Sequence, residues 1–216
     1  MSYTSTSAKA KATNYITTAV VTIASLAYLV MALGRSDIPV TNGRAFLWVR
    51  YADWAATTPL LLLDLGLLAG ASPVDIAWVV LCDLLMIAAG FAGSTSSGYN
   101  AAWPLFAFGM AAFVPVLHAL AVTFPAAARL RGPNAASLFN KLAVIMAVTW
   151  SAYPLIWATG EGSQWSSVDQ ETIAYAAMDI TAKCVFGFVL VNGHASVEDE
   201  SSQAPSSASA PKLTEA

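Results

Sequence analysis

Arg50-Tyr51-Ala52-Asp53-Trp54-Ala55-Ala56-Thr57-Thr58-Pro59-Leu60-Leu61-Leu62-Leu63-Asp64 sets three charges inside an apolar run covering residues 45–68. As a helix rising about 1.5 Å per residue, that run is long enough to cross roughly 30 Å of hydrocarbon. On such a helix Arg50, Asp53 and Thr57 follow an i, i+3, i+7 spacing. Asp64 returns to the same face eleven residues after Asp53, roughly 16 Å further along the axis. One helix thus carries two carboxylates on a common line at different depths. Ionisable groups at the centre of a bilayer cost about 2.5–3.5 kcal/mol each on insertion scales, so each needs a partner or a task.

The rest of the chain implies the same solvent. Of its 216 residues 57% are hydrophobic and 11% charged, whereas a soluble domain carries about a quarter charged residues. Residues 15–33, 76–92, 101–124, 142–159 and 173–191 form five further apolar runs bounded by polar, Gly or Pro punctuation. Lipid cannot satisfy open backbone groups, so six spans imply an all-α, polytopic membrane helical bundle. Pro59 and Pro154 fall inside spans and are expected to kink them. Residues 14–194 read as one domain without internal repeats. Residues 1–13 form a polar tail lacking the apolar core of a secretory signal. Residues 195–216, rich in Ser, Ala, Pro and acidic groups, are expected to be a disordered tail.

The net charge of −3 lies wholly in the last residues, where Glu198, Asp199, Glu200 and Glu215 face only Lys212. With no basic stripe elsewhere, nucleic acid is excluded as a partner. Lys9, Lys11, Arg129, Arg131, Lys141 and Lys212 flank one side of the spans, against Arg35 and Arg44 on the other, which predicts both ends on the cytoplasmic side. Cys82 and Cys184 lack metal-ligand or disulfide spacing and read as packing residues. His118 reads as a satisfied core histidine and His194 as a marker of the membrane edge.

Further charges sit in the other spans: Asp83 in the third, Asp179 and Lys183 in the sixth, and Glu161 and Glu171 at the edge away from the tails. Asp179 and Lys183 are neighbours on one face, so the carboxylate favours the charged amine. A structural ion-pair network is the plainer reading of one such pair. It accounts poorly for the whole set, since one pair needs no further carboxylate three turns away. Tyr51, Trp54, Trp103, Trp150, Tyr153 and Trp157 lie mid-span, the last three at i, i+3, i+7. Helix packing explains such a stripe alone; beside a buried lysine, it could wall a flat conjugated ligand held as a Schiff base.

Arg50 to Asp64, Trp150-Ser-Ala-Tyr-Pro154 and Asp179-Ile-Thr-Ala-Lys183 closely resemble the third, sixth and seventh helices of microbial rhodopsins, particularly the bacteriorhodopsin-like proton pumps. Tyr15-Ile-Thr-Thr18 and Tyr28 are similar to the family's second helix, and the resemblance runs to Val191. The Leu-Asp-Leu-Gly-Leu-Leu-Ala-Gly run ending at Gly70 looks like the fungal branch.

The resemblance implies a photoreceptor protein, not an enzyme: a light-driven outward proton pump in a lipid bilayer, expected in the plasma membrane. It implies all-trans retinal bound covalently to Lys183 as a protonated Schiff base, with Asp179 and Asp53 as counterions. Asp53 would be the proton acceptor, supported by Thr57, and Asp64 the cytoplasmic donor, with Thr17 placed to hydrogen-bond it. Arg50 would relay charge to Glu161 and Glu171, which resemble the extracellular release pair. Tyr51, Trp54, Thr58, Leu61, Met86, Gly90, Trp103, Trp150, Tyr153, Pro154 and Trp157 resemble the retinal pocket, and Asp83 a hydrogen-bonded pocket carboxyl. Around Phe106 the family's small hydroxyl residues are replaced. Leu61 resembles green-absorbing members, so absorption in the green is expected.

Halide pumps lack a carboxylate at the position of Asp53, and sensory members usually lack the one at Asp64; both are present. The family has seven helices and six are found, because the segment before Tyr15 is too short and polar to be the first. An incomplete reading of the gene is the preferred explanation, with a splice form and a six-helix opsin as alternatives. In either of the latter, lipid or a second copy in a homo-oligomer would cover spans one and six. A light sensor coupled to a partner, and an opsin without pigment or pumping, are the competing functions.

Overall fold

The computed structural model describes residues 8–39, 43–96 and 99–203. Helix α1 spans Ala8–Ala32. A two-stranded antiparallel hairpin follows, β1 (Asp37–Pro39) pairing with β2 (Ala45–Leu47), with Ile38 opposite Phe46. Helices α2 (Trp48–Ala69) and α3 (Pro73–Thr95) come next. Helix α4 (Tyr99–His118) runs through a π-helical turn, Ala119–Thr123, into α5 (Phe124–Arg131). Helix α6 (Pro133–Trp157) ends in a second π turn, Ala158–Gly162. Helix α7 (Val168–Asp179) passes through a third, Ile180–Val185, into α8 (Phe186–Gln203). Joined across these turns, the helices make six membrane-capable spans among the described residues: Lys11–Ala32, Trp48–Ala69, Pro73–Thr95, Asn100–Arg131, Pro133–Gly162 and Val168–Val197.

Local chemistry sets the helix ends. The Asp75 backbone N–H donates to Ser72 Oγ at 3.1 Å, with Pro73 at the first helical position of α3. Ser167 and Gln170 form a reciprocal capping box at the start of α7. Helix α2 stops at Gly70, which takes the left-handed conformation (φ 70°). Arg131 then reaches over from α5 and donates from Nη1 to the carbonyls of Leu67 (2.9 Å) and Leu68 (2.5 Å). A Cβ at residue 70 would meet Arg131 Cδ at 2.8 Å. Gly70→Ala is therefore expected to cost about 1–2 kcal/mol through its backbone alone; a thermal midpoint in detergent equal to that of the native protein would contradict this.

The molecule is inside-out relative to a soluble fold. Arg50, Asp53, Asp64, Asp83, Glu171, Asp179 and Lys183 are buried, whereas Leu26, Val114, Val148, Leu155, Ile173 and Phe188 are exposed. Lipid accommodates such apolar faces, so the interior is held by close packing and polar pairing rather than by flight from water. Helix α2 is the most enclosed span and packs on α1, α3, α5 and α6. Leu61, Leu62, Leu65, Phe139, Leu142 and Met146 fill the core beside it.

Several sequence expectations change at their edges. The second span starts at Trp48, because residues 45–47 extend to pair with β1 and bury Phe46. Helix α1 already begins at Ala8, within the expected 1–13 tail. Helix α8 continues to Gln203, into the tail expected to be disordered from 195. It does so because Val197 is buried and Asn134 Nδ2 donates to the Ser196 carbonyl at 3.0 Å. Residues 1–7 and 204–216 of those tails lie outside the described residues. The chain continues as helix through Pro59 and Pro154. Cys82 is buried but Cys184 is exposed on the sixth span. His118 is likewise on an exposed face rather than in the core, since it ends α4 one turn from its Thr123 contact at 3.5 Å.

Candidate functional site

Helix α2 and the span formed by α7 and α8 bring opposite charges together at mid-depth. Lys183, in the π turn of that span, is 2% exposed and donates from Nζ to Asp53 Oδ2. Asp179 Oδ1 lies 3.1 Å from the same nitrogen. Such π turns recur where a side chain must be re-aimed at a functional centre.

The two carboxylates are held differently. Asp179 Oδ2 accepts from Tyr28 at 2.7 Å, and its Oδ1 accepts from Tyr153 at 2.7 Å and from Trp54 Nε1 at 3.4 Å. Asp53 Oδ1 is buried without a hydrogen-bond partner among the described residues, and Thr57 Oγ1 donates to the Asp53 carbonyl rather than to its carboxylate.

A cavity walled mainly by apolar and aromatic side chains adjoins this cluster. Tyr51, Trp54, Thr58, Met86, Gly90, Trp150, Tyr153, Pro154 and Trp157 line it, as does Phe106. Trp54 and Tyr153 are the link, lining the cavity while donating to Asp179. Phe106 stacks on Trp157 at 4.7 Å between centroids, filling the end where sequence comparison found small hydroxyl residues replaced. Leu61 belongs to the same core cluster as the cavity-lining Trp150, and Trp103 packs edge-on against Trp157. Asp83 accepts from Thr58 Oγ1 at 2.6 Å beside the cavity. An elongated apolar ligand carrying a carbonyl fits this arrangement: aromatic walls for its body and a buried amine for its end.

Asp64 lies toward the Gly70 end of α2, 1% exposed, where Thr17 Oγ1 donates to its Oδ2 at 3.3 Å. At the opposite end Arg50 Nη1 lies 2.5 Å from Glu171 Oε1 and 3.8 Å from Glu161 Oε1, with the guanidinium 4.5 Å over the Tyr175 ring. Tyr51 donates to Glu161 Oε2 at 2.7 Å. Arg44 Nη2 approaches Glu171 Oε2 at 2.7 Å. The structure therefore brings together Lys183, Asp53 and Asp179 in one cluster and Arg50, Glu161 and Glu171 in another, with Asp64 apart from both.

Sequence reasoning overlooked Tyr175, although Glu171, Tyr175, Asp179 and Lys183 repeat every fourth residue, which puts them on one helix face. It counted Arg44 only as an outer charge. No spacing rule reaches a contact made across 127 residues.

A buried lysine shared by two carboxylates beside an aromatic cavity, in a bundle with apolar outer faces, defines a multi-pass membrane protein with a buried amine at its centre. The family model described as bacteriorhodopsin-like protein matches residues 1–197, and the chain belongs to that family of microbial rhodopsins. Archaerhodopsin-3 of Halorubrum sodomense is 42% identical over 188 residues, 85% of this chain and 73% of its own length. The crystal structure of the light-driven proton pump rhodopsin of Coccomyxa subellipsoidea superposes with a TM-score of 0.81 at 39% identity, over 84% of this chain and 82% of that one. Bromide-bound halorhodopsin from Halobacterium salinarum is also similar, with a TM-score of 0.82 at 31% identity, over 89% and 84%.

Proposed function

We propose that this protein binds all-trans retinal as a Schiff base on Lys183 and, when illuminated, pumps protons outward across the plasma membrane. The observation that carries this reading is the sharing of the buried Lys183 nitrogen between Asp53 and Asp179, with a second carboxyl, Asp64, on the same α2 face. When bound, the polyene supplies a light-driven isomerisation that re-aims the N–H at Lys183 Nζ. The chain's own groups divide the remaining work. Asp53, with one oxygen unpartnered among the described residues, accepts the proton from Nζ. Asp179, held by three donors, orients the site. Asp64 sits in a run of leucines and returns a proton to Nζ from the other side. Arg50 carries the change in charge to the Glu161 and Glu171 end. The excess of Lys and Arg at the Asp64 end orients that end to the cytoplasm, so transport is outward.

A carboxylate on the lysine nitrogen favours protons over halide as cargo, because a halide there would meet the charge of Asp53. Illuminating lipid vesicles that contain the retinal-loaded protein and recording external pH tests the reading. A sustained change abolished by a protonophore is expected; no change, or a signal that follows chloride instead, overturns it. Asp64→Asn removes a positioned proton donor. It is expected to slow recovery of the visible band after a flash by about 100-fold, the scale of acid–base assistance, with partial rescue by a membrane-permeant weak acid. Unchanged recovery would assign the refilling proton to another group.

A further inference from the structure

Glu171 is gripped from two directions. Arg50 Nη1 on α2 lies 2.5 Å from its Oε1, and Nη2 of Arg44, the residue just before β2, lies 2.7 Å from its Oε2. Arg44 is itself anchored by donating from Nη1 to the Ser166 carbonyl at 2.8 Å, just before α7. The carboxylate presses so closely on Gly160 that a Cβ there would overlap it, so Glu171 has little freedom to turn away. Glu161, next along the chain from Gly160, is placed otherwise: its Oε2 accepts from the Tyr51 phenol at 2.7 Å, and Arg50 stands off at 3.8 Å. The groups facing this cluster are Arg44 from the hairpin, Arg50 and Tyr51 from α2, Glu161 from the end of α6, and Tyr175 from α7, whose ring lies under Arg50.

We propose that Arg44 is a positioning residue that locks Glu171 as a permanently paired anchor for Arg50, leaving Glu161 alone as the proton-exchanging carboxyl at this end of the protein. Each oxygen of Glu171 faces its own guanidinium at hydrogen-bond distance, so a proton added there displaces a cation from direct contact. A proton added to Glu161, whose hydrogen-bond donor is the Tyr51 phenol and from which Arg50 stands 3.8 Å away, leaves Arg50 in its 2.5 Å contact with Glu171. The two glutamates thus divide the work instead of sharing one proton, and the division is imposed by a residue outside the spans. The inference deepens the pumping reading by naming which outer group exchanges its proton.

Infrared spectroscopy of protein carrying ¹³C-labelled glutamate, titrated in the dark, tests it without illumination or pumping. Arg44→Gln is expected to add a protonated-glutamate carbonyl band in mildly acidic buffer, stoichiometric with protein, which the double variant Arg44→Gln/Glu171→Gln lacks. Arg44→Lys, which restores a cation, is expected to suppress that band. In native protein the corresponding band of this cluster is expected to vanish in Glu161→Gln. An Arg44→Gln spectrum identical to native, even with lowered thermal stability, overturns the proposal, because it leaves Arg44 a purely structural role. A native band that survives Glu161→Gln overturns it as well. Failure of the vesicle pH experiment with these infrared results intact would defeat pumping and leave the assignment of Glu171 standing.

Discussion

Lys183→Ala abolishes the visible absorption band that the protein forms with all-trans retinal, while far-ultraviolet circular dichroism remains helical. Lys183 is the amine donating to Asp53, 3.1 Å from Asp179, one turn from the Trp54 and Tyr153 contacts that lead to the cavity. Without it no imine can form there, and no protonated nitrogen shifts polyene absorption into the visible. The substitution also strands two buried carboxylates; removing one partner of a buried pair costs about 3–5 kcal/mol, so reduced thermal stability is expected too. Chemistry and folding can be separated by supplying retinal already condensed with a short alkylamine, which restores a nitrogen in the space vacated by the lysine side chain. Recovery of a band with that compound, but not with retinal, identifies the amine as the missing element. A full band in Lys183→Ala with retinal alone would sink the assignment of the attachment site.

Asp53→Asn is expected to leave pigment formation in place but lower light-driven proton release by about 100-fold or more. An amide cannot accept the proton from Nζ, and the remaining carboxylate is a poor substitute. Asp179 is engaged by Tyr28, Tyr153 and Trp54, so a proton placed on it would weaken three hydrogen bonds. Asp53 Oδ1 carries no such partner among the described residues. The counter-charge itself is worth roughly 4 kcal/mol for a pair at about 4 Å and an effective dielectric of about 20, and Asp179 still supplies one such charge after the substitution. Single-turnover absorption measurements alongside vesicle pH recording check this outcome. Undiminished release in Asp53→Asn would transfer the acceptor role to Asp179, and Asp179→Asn would then be the variant that fails.

The two ends of the lysine cluster show how far primary structure carries. Asp179 and Lys183 are four apart on one helix, and Arg50, Asp53 and Asp64 share a face of another, so periodicity alone places them on two inward lines. The aromatic wall was equally legible, because Trp150, Tyr153 and Trp157 keep helical spacing. Leu61 and Trp103 were assigned to the pocket on family resemblance; Leu61 packs in the same core cluster as the cavity-lining Trp150, and Trp103 against the cavity-lining Trp157. Residues 45–47 were read as the start of a span, whereas they pair with residues 37–39. The pairing covers only three residues on each strand, too short a pattern to stand out beside a long apolar run.

Sequence by itself determined the solvent, the helical class, the spans and the inventory of intramembrane charges, since each follows from local composition and from the cost of open backbone in lipid. Tertiary structure decided how those charges are distributed. It engaged Asp179 with three donors and left one oxygen of Asp53 without a partner among the described residues. It also set Arg44 against Glu171, 127 positions away in the chain. Those distinctions arise because hydrogen-bond partners are chosen by which helix faces meet and how closely they pack, and that choice is made between residues more than a hundred positions apart.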